Sequence, residues 1–262
     1  MTRTPGAALK VIGASCAALV ALGCGAFPDR DGADCVSTAA QRIYGGAAIA
    51  STLDDFAFSA RALGAIENQF GTLYCTGTLV SRGWVLSAAH CSAFDGLYFR
   101  LAAFDASGPR LRLGRPHPHP TADLVLIELT DRDGLDDLGV APLDTSAHSE
   151  DTVRLGETLT LAGVGLTESG ESGELRLVQE PVVAVEPASI SVDGRGSSGA
   201  CSGDSGGPLI HGSGRDAIVV GILSKGAGSC RGIDVYTRLD ADPTFIEQTT
   251  SLLPPASGCH ER

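Results

Sequence analysis

Aromatic side chains make up only 5% of this 262-residue chain, which has a single Met and a single Trp. Bases are scarce as well: 19 Lys and Arg stand against 31 Asp and Glu, for a formal net charge of -12. With so few cations the chain lacks the basic stripe that neutralises phosphates, so nucleic acid is not an expected partner. Charged residues of both signs reach only 19% while apolar residues reach 43%, which excludes a disordered polymer and allows a sizeable core. The 34 Gly follow no three-residue period, which excludes a collagen. Long apolar runs are missing too. The stretch from Val11 to Leu22 would rise about 18 Å as a helix, well short of a bilayer core of roughly 30 Å. Eight Cys are too few for a miniature disulfide scaffold and too many for a typical cytosolic enzyme.

The N-terminus carries Arg3 and Lys10 and no acid before that apolar stretch, which reads as a secretory signal over residues 1–24. Ala21-Leu22-Gly23-Cys24 resembles a bacterial lipobox, in which the cysteine is lipidated; the alternative is an ordinary small-residue cleavage site near Gly25 or Ala26. The expected location is secreted or cell-envelope, periplasmic or on the outer surface, with a membrane contact only through a lipid on Cys24. Residues 25–42 are small and polar without periodicity and read as a pro-segment.

From residue 43 onward, short runs rich in Val, Leu, Ile and Thr alternate with Gly, Pro, Asp and Ser. The clearest are Gly71 to Val80, Trp84 to Ser87, Leu124 to Leu129, Thr158 to Val164, Val182 to Val185, Ala217 to Leu223 and Val235 to Arg238. Such spacing predicts an all-β sandwich or barrel pair, with one helix from about Asp242 to Leu253. His117, His119, His148, His211 and His260 are expected to face solvent.

Four segments carry chemistry. Gly203-Asp204-Ser205-Gly206-Gly207-Pro208 sets a serine among glycines, where N–H groups can converge on one point. Ser87-Ala88-Ala89-His90-Cys91 ends an apolar strand with a histidine, Asp123 opens the apolar run Leu124 to Leu129, and Arg42-Ile43-Tyr44-Gly45-Gly46 begins the long domain. A serine hydroxyl holds its proton too tightly to attack unaided and needs a base; histidine, with a pKa near 6.5, can take and return that proton. A carboxylate on the other ring nitrogen fixes the tautomer. One candidate stands for each role.

In the order His, Asp, Ser, these segments resemble the trypsin/chymotrypsin family of serine endopeptidases, over Ile43 to about Leu253. The resemblance implies two six-stranded antiparallel β-barrels with the active site between them and a short C-terminal helix. It makes residues 43–262 the protease domain, Ser205 the nucleophile, His90 the general base and Asp123 the orienting carboxylate, with an oxyanion hole at the N–H groups of Gly203 and Ser205. Ser224 resembles the serine behind the triad aspartate, and Gly226 the residue whose backbone pairs with substrate. Cleavage at Arg42–Ile43 would free an amine to pair with Asp204, the switch of a zymogen. Implied bridges are Cys75–Cys91 and Cys201–Cys230; the leftover Cys35 and Cys259 form a candidate third pair across the activation cut.

Where trypsin-like relatives carry an acid six residues before the nucleophile, this chain has Gly199, followed by Ala200. Asp234 instead stands before Val235-Tyr236-Thr237, a Gly-and-Asp arrangement found in some broad-specificity relatives. The expectation is cleavage after Arg or Lys, less exclusive than in trypsin. Lys225 replaces the usual Trp of neighbouring subsites. No calcium loop is recognisable between Phe94 and Leu113, and neither metal nor cofactor is expected. Expected partners are protein or peptide substrates and a protein protease inhibitor, with the enzyme a monomer. The competing reading is a catalytically idle protease-like binding domain.

Overall fold

A computed structural model describes residues 43–48, 60–102, 109–131, 135, 144–145 and 153–251. Cys16, Cys24, Cys35, Arg42, His148, Cys259 and His260 lie outside the described residues, as do the expected signal and pro-segment.

The first barrel is built from β2 (Leu63–Glu67), β3 (Leu73–Ser81), β4 (Trp84–Ser87), β5 (Tyr98–Leu101), β6 (Arg110–Pro118) and β7 (Val125–Leu129). Its ring runs β2-β3-β4-β7-β6-β5 and closes through β5 on β2, antiparallel throughout. Every residue of β2 and β4 is buried; β4 therefore reads as a short run rather than an alternation, whereas β2, with Gly64 and the buried Glu67 in five residues, gives no such run. The same apolar cluster takes in Leu63, Trp84, Phe99 and Leu126 of this barrel and Ala162, Val164, Ile210 and Ile222 of the other. β6 alternates exposed and buried over its first residues and then shifts register between Leu113 and Pro116. A proline lacks the N–H a ladder needs, and the bulge accommodates it.

The second barrel comprises β9 (Thr158–Gly163), β10 (Arg176–Val185), β11 (Ser189–Asp193), β12 (Pro208–His211), β13 (Ile218–Lys225) and β14 (Ile233–Arg238). Its ring runs β9-β10-β11-β14-β13-β12, and the pairing of Leu209 with Leu161 returns β12 to β9. Two short strands join its outside: β1 (Ala47–Ala48) on β10, and β8 (Asp144–Thr145), parallel to β13. Leu159, Val192, Leu209 and Tyr236 fill its interior. Two six-stranded antiparallel barrels are thus present as expected. An α-helix near the C-terminus, α1 (Pro243–Thr250), is capped by Asp242, whose side chain accepts the Thr244 N–H, and has Pro243 in its first turn.

The histidines correct the sequence reading. His117 pairs with Glu128 at 2.7 Å and His211 with Glu157 at 2.8 Å, both partly buried, while the His119 side chain is only 8% exposed. Each lies within reach of an acid that the fold brings from a distant segment, and strand spacing alone does not reveal such a partner.

Candidate active site

His90 sits in a one-turn 3-10 helix, Ala89–Ser92, that follows β4 directly. The Cys75–Cys91 disulfide fixes this turn to β3. Asp123 lies just before β7 and receives three hydrogen bonds. The His90 backbone N–H reaches Oδ1 at 3.1 Å, His90 Nδ1 lies 2.9 Å from Oδ2, and the Ser224 hydroxyl donates to Oδ2 at 2.7 Å. With Nδ1–H given to the carboxylate, Nε2 is left as a free acceptor. Burial pushes the Asp123 carboxyl up, but the Ser224 hydroxyl and the two His90 donors outweigh it and hold the pKa below its ordinary value. The imidazole remains accessible, with its side chain 45% exposed. Ser224 belongs to β13, and Thr237 of β14 also donates to the Asp123 carbonyl at 3.3 Å, so second-barrel residues orient a first-barrel acid.

His119 is a positioning residue that the sequence did not disclose. Its Nδ1 accepts the N–H groups of Ala122 at 2.9 Å and Thr121 at 3.2 Å, which places its proton on Nε2, 3.1 Å from Asp242 Oδ2. Its ring meets Phe245 of α1 edge-on at 4.9 Å. One neutral imidazole thereby ties the turn that carries Asp123 to the C-terminal helix.

Ser205 is held by its own backbone: its carbonyl accepts the Thr76 N–H at 2.8 Å. The Cys91 sulfur lies 3.7 Å from that carbonyl oxygen, so the histidine turn and the serine loop meet at the disulfide. Gly206 has φ +79°, and a Cβ there would come within 2.0 Å of Ser87 Oγ and 2.6 Å of the Thr76 carbonyl. No other residue fits without moving β3. Gly203 also lies in left-handed space at φ +97°, against Leu73. Among the described residues, neither the Gly203 nor the Ser205 N–H meets a protein acceptor. Thr76 was likewise invisible from sequence. Fully buried, it donates through Oγ1 to the Gly203 carbonyl at 3.0 Å and accepts the Val164 N–H at 3.1 Å.

Beside this loop the Cys201–Cys230 disulfide joins two walls. Asp234 spans them: Oδ2 accepts Ala200 N–H at 2.6 Å, and Oδ1 accepts Ala227 N–H at 2.9 Å. A Cβ on Gly199 would lie 3.2 Å from Asp234 Oδ2, and one on Gly226 would lie 3.3 Å from Oδ1. The predicted pocket residues Gly199, Ala200, Gly226 and Asp234 are therefore neighbours. Burial raises the Asp234 pKa, against the two N–H donors, and Asp193 raises it further.

Asp204 accepts Cys201 N–H at 2.8 Å and Gly165 N–H at 2.7 Å in a buried niche. Burial, opposed by those donors and reinforced by Asp234, pushes its pKa up to about 7. The segment that begins at the buried Ile43 reaches the pocket, where the Gly199 N–H donates to the Tyr44 carbonyl at 3.0 Å. The Arg231 guanidinium lies 4.2 Å over the Tyr44 ring and donates to its hydroxyl. Among the described residues, the three metal-type ligands that cluster are Cys75, His90 and Cys91. Both sulfurs are spent in a disulfide, so the cluster has no thiolate to offer.

A sequence profile of the family described as Trypsin matches residues 57–245. The chain belongs to the trypsin family. It is 30% identical over 208 residues to Trypsin 5G1 of Aedes aegypti, covering 68% of this chain and 76% of that one. It is 29% identical over 215 residues to Kallikrein-4 of Homo sapiens, covering 70% and 79%. Among solved structures, neuropsin, a serine protease expressed in the limbic system of mouse brain, superposes with a TM-score of 0.60 at 23% identity over 74% of this chain and 96% of its own, a likeness of fold. The protein is a serine endopeptidase with disulfide bonds, and its substrates are proteins or peptides.

Proposed function

We propose that Ser205, His90 and Asp123 form the catalytic triad of a secreted protease made as a zymogen, which cleaves after Arg or Lys with less exclusivity than trypsin. The observation that carries this reading is the hydrogen-bonded chain Ser224–Asp123–His90, which leaves His90 Nε2 as a free acceptor next to the serine loop. In the forward reaction Ser205 Oγ attacks the peptide carbonyl carbon as its proton passes to His90 Nε2. The negative oxygen that develops is stabilised by the N–H groups of Gly203 and Ser205, each such donor being worth on the order of 3 kcal/mol. Collapse of the tetrahedral intermediate breaks the C–N bond, and His90 returns the proton to the leaving amine. Water then repeats the sequence on the acyl-enzyme. Asp123 stabilises the imidazolium without taking the proton.

Residues 1–24 serve as the signal, 25–42 as the pro-segment and 43–262 as the protease domain. Cleavage at Arg42 supplies the ammonium of Ile43 as the counter-ion that the buried Asp204 otherwise lacks among its hydrogen-bond partners. The bridge between Cys35 and Cys259 and the lipid on Cys24 belong to this reading, and would keep the cut enzyme on the envelope. A protein inhibitor as a partner and a monomeric state complete it. A fluorophosphonate probe applied before and after cleavage at Arg42 tests the reading. Label that appears on Ser205 only after the cut supports it. Absence of label on the cut protein would favour the idle binding domain instead.

A further inference from the structure

We infer that Glu180 is a second acidic determinant of primary specificity, a buried carboxylate behind the pocket that reinforces Asp234 in holding a basic substrate side chain. The inference rests on the reading of Asp234 as the pocket acid.

Inward positions of β10 alternate as Val178, Glu180 and Val182, so an acid occupies a place where the neighbours on its face are apolar. Glu180 is 0% exposed. Burying a carboxylate is costly unless hydrogen bonds or a cation compensate it, and here compensation is half made. Oε1 accepts the Ser198 hydroxyl at 2.7 Å, while Oε2 is buried and has no hydrogen-bond partner among the described residues. The charged and titratable groups that face it are Asp193 from β11 and Asp234 from β14, with Tyr236 beside them. None is basic. Arg176, the basic residue on the same strand, pairs with Glu174 at 2.5 Å.

The link to the pocket is a three-residue segment. Ser198 holds Glu180 on one side, Ala200 donates its N–H to Asp234 on the other, and Gly199 between them lies against the Asp234 carboxylate. Strand register agrees, because Val182 pairs with Val192 and Val192 with Asp234, which puts Glu180 one inward step from the row that contains Asp234. Two acids behind one pocket, with no cation facing them among the described residues, leave a negative potential that an incoming guanidinium or ammonium can balance. An apolar side chain cannot.

Burial, opposed by the Ser198 hydrogen bond and reinforced by Asp234 and Asp193, pushes the Glu180 carboxyl up to about 7. It is therefore largely neutral at pH 6 and charged at pH 8, and the basic preference strengthens between the two. Asp204 bears on both substrates alike and cancels when the two are compared, whereas Asp234, whose pKa is also raised by burial, contributes its own part of the slope.

The test uses the cut enzyme and two fluorogenic peptides that differ only in Arg or Leu before the scissile bond. In the wild type the Arg-to-Leu ratio of kcat/KM should rise roughly three- to tenfold from pH 6 to pH 8, the scale of one buried charge felt across several ångströms of protein. Glu180→Gln retains shape and the Ser198 acceptor; it should lower that ratio at pH 8 by the same factor, lessen its pH dependence and leave the Leu peptide within about twofold. A wild-type ratio that is flat with pH would overturn the inference without any variant, as would a Glu180→Gln enzyme with unchanged ratio and slope. If Asp234→Asn leaves the Arg preference intact, the pocket reading itself fails, a result distinct from failure at Glu180 alone.

Discussion

Thr76 offers a direct test of how the first barrel supports the serine loop. Its Oγ1 donates to the Gly203 carbonyl at 3.0 Å and accepts the Val164 N–H at 3.1 Å, with no exposure to water. Valine has almost the same shape and neither function. Thr76→Val deletes two hydrogen bonds and leaves a buried carbonyl and a buried N–H to relax or stay unpaired, a loss of about 2–4 kcal/mol. For a domain of this size that corresponds to a Tm lower by roughly 5–15 °C. Thr76→Ser keeps both bonds and removes one methyl group, so it should cost about 1 kcal/mol. The Gly203 peptide is also one wall of the proposed oxyanion hole, so kcat should fall on the order of 10- to 100-fold in Thr76→Val with KM little changed. Calorimetry and steady-state kinetics on the cut enzyme read both. A Thr76→Val protein within about 0.5 kcal/mol of wild type would refute the bonding argument. A lower Tm with unchanged kcat would show that Thr76 supports the fold and leaves the loop indifferent.

Three further outcomes are expected. Asp123→Asn removes the carboxylate that fixes the His90 tautomer and should lower kcat on the order of 10⁴-fold while the protein remains folded, as read by kinetics alongside circular dichroism. Asp234→Gly should abolish cleavage after Arg and Lys in a peptide library while apolar cleavage survives; persistent basic cleavage would place the determinant elsewhere. In the uncut chain, burial lifts the Asp204 pKa to about 7, so the folded state holds a proton that the unfolded chain releases near 4. Stability of the uncut protein should therefore fall as pH rises from about 4 to 7, and this slope should weaken after cleavage at Arg42, a difference that thermal melts of both forms would show.

Much of the site was legible because its chemistry is local. Ser205 and its flanking glycines, and His90 with Cys91, are short segments whose residue types are dictated by backbone approach and proton transfer. Strands buried on both faces, such as β4 and β7, announce themselves as apolar runs. β6 did not, because its two prolines are tolerated only at a bulge that the ring creates, and β12 was hidden because it begins inside the serine motif at Pro208. β11 carries only Ile190 and Val192 as buried apolar residues, too few for a pattern.

The residues that sequence could not reveal share one property: their partners are remote in the chain. Thr76 acts on Gly203, His119 on Asp242, and Glu180 on the Ser198 segment. In sequence Glu180 stands in Gln179-Glu180-Pro181, a polar interruption that reads as the end of a strand. Ring closure turns it inward within electrostatic reach of Asp234, which in turn lies within reach of Asp204. Among the described residues these three acids, gathered from separate strands and a loop, meet hydrogen-bond donors and no cation, an arrangement poorly stabilised by its own contents. On the proposed reading, the cut chain end at Asp204 and a basic substrate side chain at Asp234 and Glu180 each relieve that uncompensated charge, so activation and recognition would draw on one electrostatic deficit.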